Sequence, residues 1–175
     1  FGSIEGLVNK AGILRDAQLI KVKEGKVVKK MSADHFDLVV DVHMKGAFLC
    51  AREAAAHMVE LGVKEGCIVS MSSIAYRGNF GQTNYSAAKA GIVSMSRVWA
   101  KELGPYNIRS MVVAPGTIET ELLRSMPADI LEGFAKMVPL RRIGATENIA
   151  QAVESIFENS YLSGDVMEIH GGFTI

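Results

Sequence analysis

Along this chain, short apolar runs alternate with longer stretches in which apolar positions recur every three or four residues. Gly6-Leu7-Val8 runs into the turn-like Asn9-Lys10-Ala11-Gly12, so residues 1–12 are predicted to be a buried strand entering a turn. Residues 67–71 and 108–114 read as two more strands, the second broken by Pro115-Gly116, and residues 166–169 form a last strand before Gly171-Gly172. After the capping residue Ser32, the positions Phe36, Val39, Val40, Phe48, Ala51, Ala55 and Met58 keep a mostly helical spacing to about residue 61, with Gly46 permitting a bend. Further helices are predicted over 85–103, stopped by Gly104-Pro105, over 119–126 and 129–137, and over 147–159. Residues 19–31 differ: Ile20-Lys21-Val22-Lys23 alternates, Glu24-Gly25 can turn and Lys26-Val27-Val28-Lys29 resumes, which predicts a basic surface hairpin.

Strands alternating with helices predict an α/β fold, a parallel sheet covered on both faces. Such sheets bind ligands just outside the carboxyl ends of their strands, where Asn9, Ser72 and Pro115 converge. No repeat, low-complexity tract or break in composition divides residues 1–175, so one domain is expected, with 19–31 as an insertion in it.

Composition narrows the partners. Lys plus Arg equals Asp plus Glu at 19 each, so no net field draws the whole molecule to nucleic acid. No apolar run approaches the roughly 20 residues that cross a bilayer, so no membrane insertion is expected. Cys50 and Cys67 sit in apolar surroundings without metal-ligand spacing and read as buried free thiols in a reducing compartment, the cytoplasm or, in a eukaryote, the mitochondrial matrix. His35, His43, His57 and His170 form no tight ligand motif with them, and no metal is expected.

The candidate chemistry is local. Tyr85 and Lys89 stand four apart at the start of a predicted helix and share one face. A phenol titrates near 10 and is a poor base at neutral pH, whereas a nearby ammonium favours its phenolate and proton exchange with a substrate oxygen. Ser72, thirteen residues before Tyr85, ends a strand where a hydroxyl can orient that oxygen. The pair alone decides nothing, since tyrosine and lysine at this spacing are common on amphipathic helices.

The wider pattern is more specific. Ser72-Ser73-Ile74-Ala75 followed by the run from Gly78 to Gly91, with Asn84-Tyr85-Ser86-Ala87-Ala88-Lys89 at its centre, resembles the active-site motif of the classical short-chain dehydrogenase/reductase family. Val8-Asn9-Lys10-Ala11-Gly12 resembles that family's Asn-Asn-Ala-Gly segment, Pro115-Gly116-Thr117 with Thr120 its nicotinamide-side loop, and Ser163-Gly164-Asp165-Val166 to Gly171-Gly172 its final strand and turn. The resemblance covers essentially the whole chain and is strongest to 3-oxoacyl thioester reductases and the short-chain type of 3-hydroxyacyl-CoA dehydrogenase.

The resemblance implies a Rossmann-like fold and NAD or NADP as cofactor. It implies hydride transfer with Tyr85 as general acid or base, Lys89 holding the nicotinamide ribose and lowering the tyrosine pKa, and Ser72 on the reacting oxygen. Asn9, Ala11, Gly12, Pro115, Gly116, Thr117, Ile118 and Thr120, with Tyr85 and Lys89, would contact the cofactor. It further implies an acyl-CoA or acyl-carrier-protein substrate and a homo-oligomer, commonly a tetramer, built on the helices around 35–61 and 85–103. Other hydroxy/keto oxidoreductases acting on a steroid or small alcohol, and a noncatalytic oligomeric homologue, share the same framework.

Several positions depart from the family. His43 stands where an asparagine normally completes the catalytic set, and imidazole is compatible with a modified proton relay or with a broken one. Lys10 replaces the second asparagine of Asn-Asn-Ala-Gly, and His170 replaces an aspartate before the last Gly-Gly. Phe1 aligns just before the family's fourth strand, so the N-terminal cofactor-binding strands and glycine-rich turn are expected to be absent from these residues. Leu122, Leu123, Met126, Ile130, Leu131, Phe134 and Met137 fall in a variable lid, where they either line an apolar pocket or simply pack two short helices. Lys21, Lys23, Lys26, Lys29 and Lys30 of the hairpin form either a solvated face or a surface for a negatively charged CoA or carrier protein.

Overall fold

The computed structural model describes residues 2–124 and 126–175; Phe1, Ser125 and the side chains of Leu122 and Arg124 lie outside the described set. Four parallel strands, β1 (Gly6–Asn9), β4 (Gly66–Met71), β5 (Ile108–Pro115) and β6 (Val166–Ile169), form one sheet in the order β1-β4-β5-β6. The α/β architecture expected from the alternating pattern is therefore present.

Burial follows the pleat. Ile68 and Ile108 point to one face, where Ala51, Ala54, Ala55 and Met58 of α2 (Gly46–Glu60) pack on them together with Trp99 and Leu103 of α3 (Thr83–Leu103). The intervening residues Cys67, Val69, Met111 and Val113 meet Ile149, Val153 and Ile156 of α6 (Thr146–Glu158) on the other. Near-continuous apolar runs in β4 and β5 thus reflect helices on both faces. One polar pair enters this core, and it is satisfied: Ser96 and Ser110 share a 2.8 Å hydrogen bond. Arg109 is also buried, and its guanidinium donates to the carbonyls of Ile156, Phe157 and Leu162 at the end of α6.

Within the described residues β1 pairs with β4, and Val8 is 42% exposed. Two sequence expectations change. Cys50 is exposed on α2, whereas Cys67 is buried as expected. The long helix after Ser32 is α1 (Ala33–Val40), a π-helical turn over Asp41–Lys45, and then α2, so the irregularity sits ahead of Gly46 and centres on His43. Ser32 caps α1 by accepting from the His35 N–H at 3.2 Å.

The hairpin forms from β2 (Ile20–Lys23) and β3 (Lys26–Lys30), antiparallel and exposed along its length. Glu24 and Gly25 both take positive φ, 52° and 75°, which matches the twist of a two-residue hairpin turn. Two short helices, α4 (Glu121–Arg124) and α5 (Ala128–Met137), follow β5.

Candidate active site

β4 runs out at the carboxyl edge of the sheet into Ser72 and Ser73, which face opposite ways. The Ser72 N–H donates to Val113 O at 2.8 Å, extending the ladder, and its buried hydroxyl donates to the Lys89 carbonyl at 3.0 Å. Ser73 is extended (φ −166°, ψ 155°), and its hydroxyl caps the 3-10 turn Ile74–Arg77 by accepting from the Ala75 N–H at 3.2 Å. It also stands beside the Tyr85 phenol, where it favours the ionised form. The structure therefore brings Ser73, rather than the expected Ser72, to the tyrosine. In extended backbone a shift of one residue reverses the face, so Ser72 is turned inward to hold α3 against β4.

The first turn of α3 is clamped by Asn84, which is fully buried. Its side-chain oxygen accepts from the Tyr85 N–H at 2.8 Å, and its amide donates to the carbonyls of Arg15 (3.0 Å) and His35 (3.2 Å). Gln82, just ahead of it, donates to Asp16 at 2.7 Å, and Ala17 donates its N–H to Gly81 O at 2.9 Å. Tyr85 is thus fixed by the segment that precedes the hairpin.

One helical turn on, Lys89 is buried; its ammonium donates to Met71 O at 2.7 Å and lies 5.4 Å from the Tyr85 ring centroid. Loss of water lowers its pKa to about 8. Burial raises the Tyr85 pKa, the Ser73 hydroxyl opposes the rise, and the Asp16 charge adds to it. The lysine ammonium faces the Tyr85 ring and the Met71 carbonyl.

His43 closes the site from the π-helical turn. It is buried, meets Tyr85 edge-on with centroids 5.2 Å apart, and places Nε2 2.7 Å from Ile13 O and 3.0 Å from Ile13 N. Nε2 donates to the carbonyl in one tautomer and accepts from the N–H in the other. Nδ1 is buried without a hydrogen-bond partner among the described residues. Burial holds the His43 pKa below its ordinary value; the Ile13 hydrogen bond opposes this and the Lys89 charge reinforces it. A Cβ at Gly12 would clash with Cε1 of the imidazole, so the absence of a side chain at Gly12 is what admits a ring at position 43.

The remaining candidates line the same edge. Asn9 donates to the Ser70 hydroxyl at 3.3 Å, while Lys10, Ala11 and Gly12 are exposed, so the ammonium of Lys10 reaches solvent. After Pro115, the Gly116 N–H donates to Ile169 O at 2.9 Å, Thr117 O accepts from the Gly144 N–H at 3.0 Å, and the Thr120 N–H donates to Ile118 O at 2.9 Å. A Cβ at Gly116 would sit 2.7 Å from that of His170. His170 accepts from the Gly172 N–H at Nδ1 and lies 3.3 Å from Glu168 through Nε2, so imidazole holds the final turn where an aspartate was expected.

In the lid, Leu123, Met126, Leu131 and Phe134 are half-buried, whereas Ile130 and Met137 are exposed; the Leu122 side chain is outside the described set. None of these residues lines the cavity of about 290 Å³ beside the Pro115 loop, which is walled by Thr117, Ile118, Val138, Leu140, Arg142 and His170 among others. Among the described residues no cluster of His, Cys, Asp or Glu could hold a metal, and no helix is long and apolar enough to cross a membrane. Sequence reasoning missed Ser73 and the clamp of Asn84, although both stand inside the motif that was singled out.

A hydroxyl, a phenol and an ammonium thus meet at the carboxyl end of a central parallel strand, an arrangement able to bind an oxygen and exchange its proton. Comparison with known proteins agrees. Residues 1–174 match the family model described as Enoyl-(Acyl carrier protein) reductase. The chain is 40% identical over its whole length to the 3-oxoacyl-(acyl-carrier-protein) reductase FabG of Thermotoga maritima, covering 68% of that protein. It is 36% identical to the enzyme of the same name from Chlamydia muridarum, over 98% of this chain and 66% of that one. It is also 36% identical to the (3R)-3-hydroxyacyl-CoA dehydrogenase of Canis lupus familiaris, over 95% of this chain and 61% of that one. The chain therefore spans about two thirds of the length of these relatives.

Proposed function

The chain belongs to the short-chain dehydrogenase/reductase family, and we propose that its protein interconverts a 3-oxoacyl thioester and the 3-hydroxyacyl form by NAD(P)-dependent hydride transfer. The observation that carries this reading is the buried Lys89 ammonium 5.4 Å from the Tyr85 ring, with Ser72 and Ser73 at the end of the strand beside them. The names of the relatives, which include acetoacetyl-CoA reductases, point to the thioester class.

The donor set suits a nicotinamide cofactor. Lys89 donates to Met71 O with one of its three N–H groups, which leaves donors for a ribose diol, and Asn9, Ala11, Gly12 and the Pro115–Thr120 segment line the approach to it. When bound, the cofactor supplies the hydride in reduction and accepts it in oxidation. Ser73 holds the reacting oxygen; Tyr85, kept protonated by burial, donates its proton to the developing alkoxide in reduction and recovers it in oxidation. Lys89 and the neutral imidazole of His43 flank the phenol.

The open groove lined by Phe48, Ala56, Val59, Trp99 and Tyr106 beside α2 and α3 offers a surface for the homo-oligomer, commonly a tetramer, that the resemblance implies. The decisive experiment follows reduced nicotinamide absorbance with full-length protein, NADPH and NADH, against 3-oxoacyl thioesters, a ketosteroid and small ketones. Turnover of thioesters, nearly abolished by Tyr85→Phe with fold retained, is the expected result; turnover of the steroid alone overturns the substrate class.

A further inference from the structure

Building on the reading of the site as a thioester reductase, we propose that the lysine face of the β2–β3 hairpin is the docking surface for an acidic carrier protein bearing the acyl group. The register carries the inference. Lys23 lies opposite Lys26, and Lys21 lies opposite Lys29, while Val22 opposes Val27 and a bulge leaves Val28 unpaired. Side chains directly opposite one another share a face, so four lysines stand on one face in two like-charged pairs, with Ile20, Val22 and Val27 on the other beside Lys30, which lies opposite Ile20.

Folding alone gives no reason for this layout. Like charges directly opposed on a ladder are destabilising, and a lone two-stranded ribbon is already marginal in water. None of Lys21, Lys23, Lys26, Lys29 and Lys30 has an ion-pair partner among the described residues. The apolar face is also open, with Ile20 49%, Val22 53% and Val27 52% exposed. The two lysine pairs lie about 7 Å apart along the strands, the spacing of residues i and i+2, and form a ridge. A ridge with charged and apolar faces suits the surface of a protein. The nucleotide of a coenzyme would need a concavity and a stacking ring, and the hairpin holds no aromatic residue.

The position is equally pointed. The hairpin is rooted where Met31 N–H donates to Leu19 O, two residues beyond Ala17, which bonds Gly81. Asn84 grips both roots, at Arg15 and at His35, and is the neighbour of Tyr85. A carrier held on the ridge therefore presents its acyl arm at the rim of the catalytic edge, while the hairpin packs chiefly on itself.

The test replaces Lys21, Lys23, Lys26 and Lys29 together with threonine, which favours strands, in the full-length protein. Binding of a holo acyl carrier protein is measured by titration at low and high salt. Turnover is measured with the same 3-oxoacyl group on the carrier, on CoA and on neutral N-acetylcysteamine. The expected result is a rise of about tenfold or more in carrier Kd and in KM for the carrier-linked substrate, with the salt dependence lost, because rim charges act through association. Turnover of the neutral thioester and the unfolding temperature should stay unchanged. Unaltered carrier binding overturns the proposal, as does an equal loss with CoA and carrier, which would assign the lysines to phosphates, or a loss with the neutral thioester, which would make the hairpin structural. Carrier binding is read directly, so absence of turnover with every thioester would reject the proposed reaction while binding still decides the hairpin.

Discussion

At the scale of single residues, the two neighbouring serines separate structure from chemistry. The hydroxyl of Ser72 is spent on the Lys89 carbonyl inside the protein, and that of Ser73 meets the phenol of Tyr85. Ser72→Ala should cost about 1 kcal/mol of unfolding free energy, the net value of a buried hydrogen bond, with kcat changed little. Ser73→Ala, which also removes the cap of the 3-10 turn, should cost a comparable amount of about 1 kcal/mol but lower kcat by roughly 10²–10³, the usual loss on removing a donor aimed at a developing oxyanion. Denaturant unfolding and steady-state kinetics on both variants check this; a loss of kcat in Ser72→Ala instead would return the catalytic role to Ser72.

At the scale of elements, the site depends on how closely the β1 turn, the π-helical turn and the start of α3 approach one another. Gly12 lies against the His43 ring, so Gly12→Ala forces an overpacked contact expected to cost about 1–3 kcal/mol. His43→Asn shortens the opposing side chain, and the double variant should recover part of that loss; a thermodynamic cycle with no coupling would show that the turn moves aside freely. These approaches explain what was legible beforehand. Strands 67–71 and 108–114 and the helix of Tyr85 could be read because their apolar periodicity is set by burial on both faces of the sheet. The motif around Tyr85 located the site, yet sequence spacing could not say which of two adjacent serines faces it, since that choice rests on the pleat at the end of β4. Nor could it place the break at residues 41–45, where no glycine or proline marks the π-helical turn while Gly46 looked like the weaker point.

At the scale of the whole molecule, the buried titratable groups make stability depend on pH in a definite sense. His43 and Lys89 are bases whose folded pKa values lie below their ordinary values of 6.5 and 10.5, so between folded and ordinary values the unfolded chain binds more protons and stability rises with pH. For His43 the rise ends near 6.5, and acidification below that point withdraws stability as the imidazole must charge inside the protein. For Lys89 the rise spans about 8 to 10.5, since above about 8 the folded protein no longer keeps a desolvated ammonium. Tyr85 and Cys67 act oppositely: burial raises both, so the folded state holds protons that the unfolded chain releases above 10.0 and 9.0, and stability falls there. The cleanest window therefore lies just above pH 8, before Cys67 and Tyr85 contribute. Unfolding free energy measured by denaturant titration should increase with pH in that window for the wild type and lose that increment in Lys89→Met, while His43→Asn should remove the part lost on acidification below 6.5. An unchanged slope in Lys89→Met would mean that the lysine ammonium is not held away from water, and would remove the desolvation on which its pairing with Tyr85 depends.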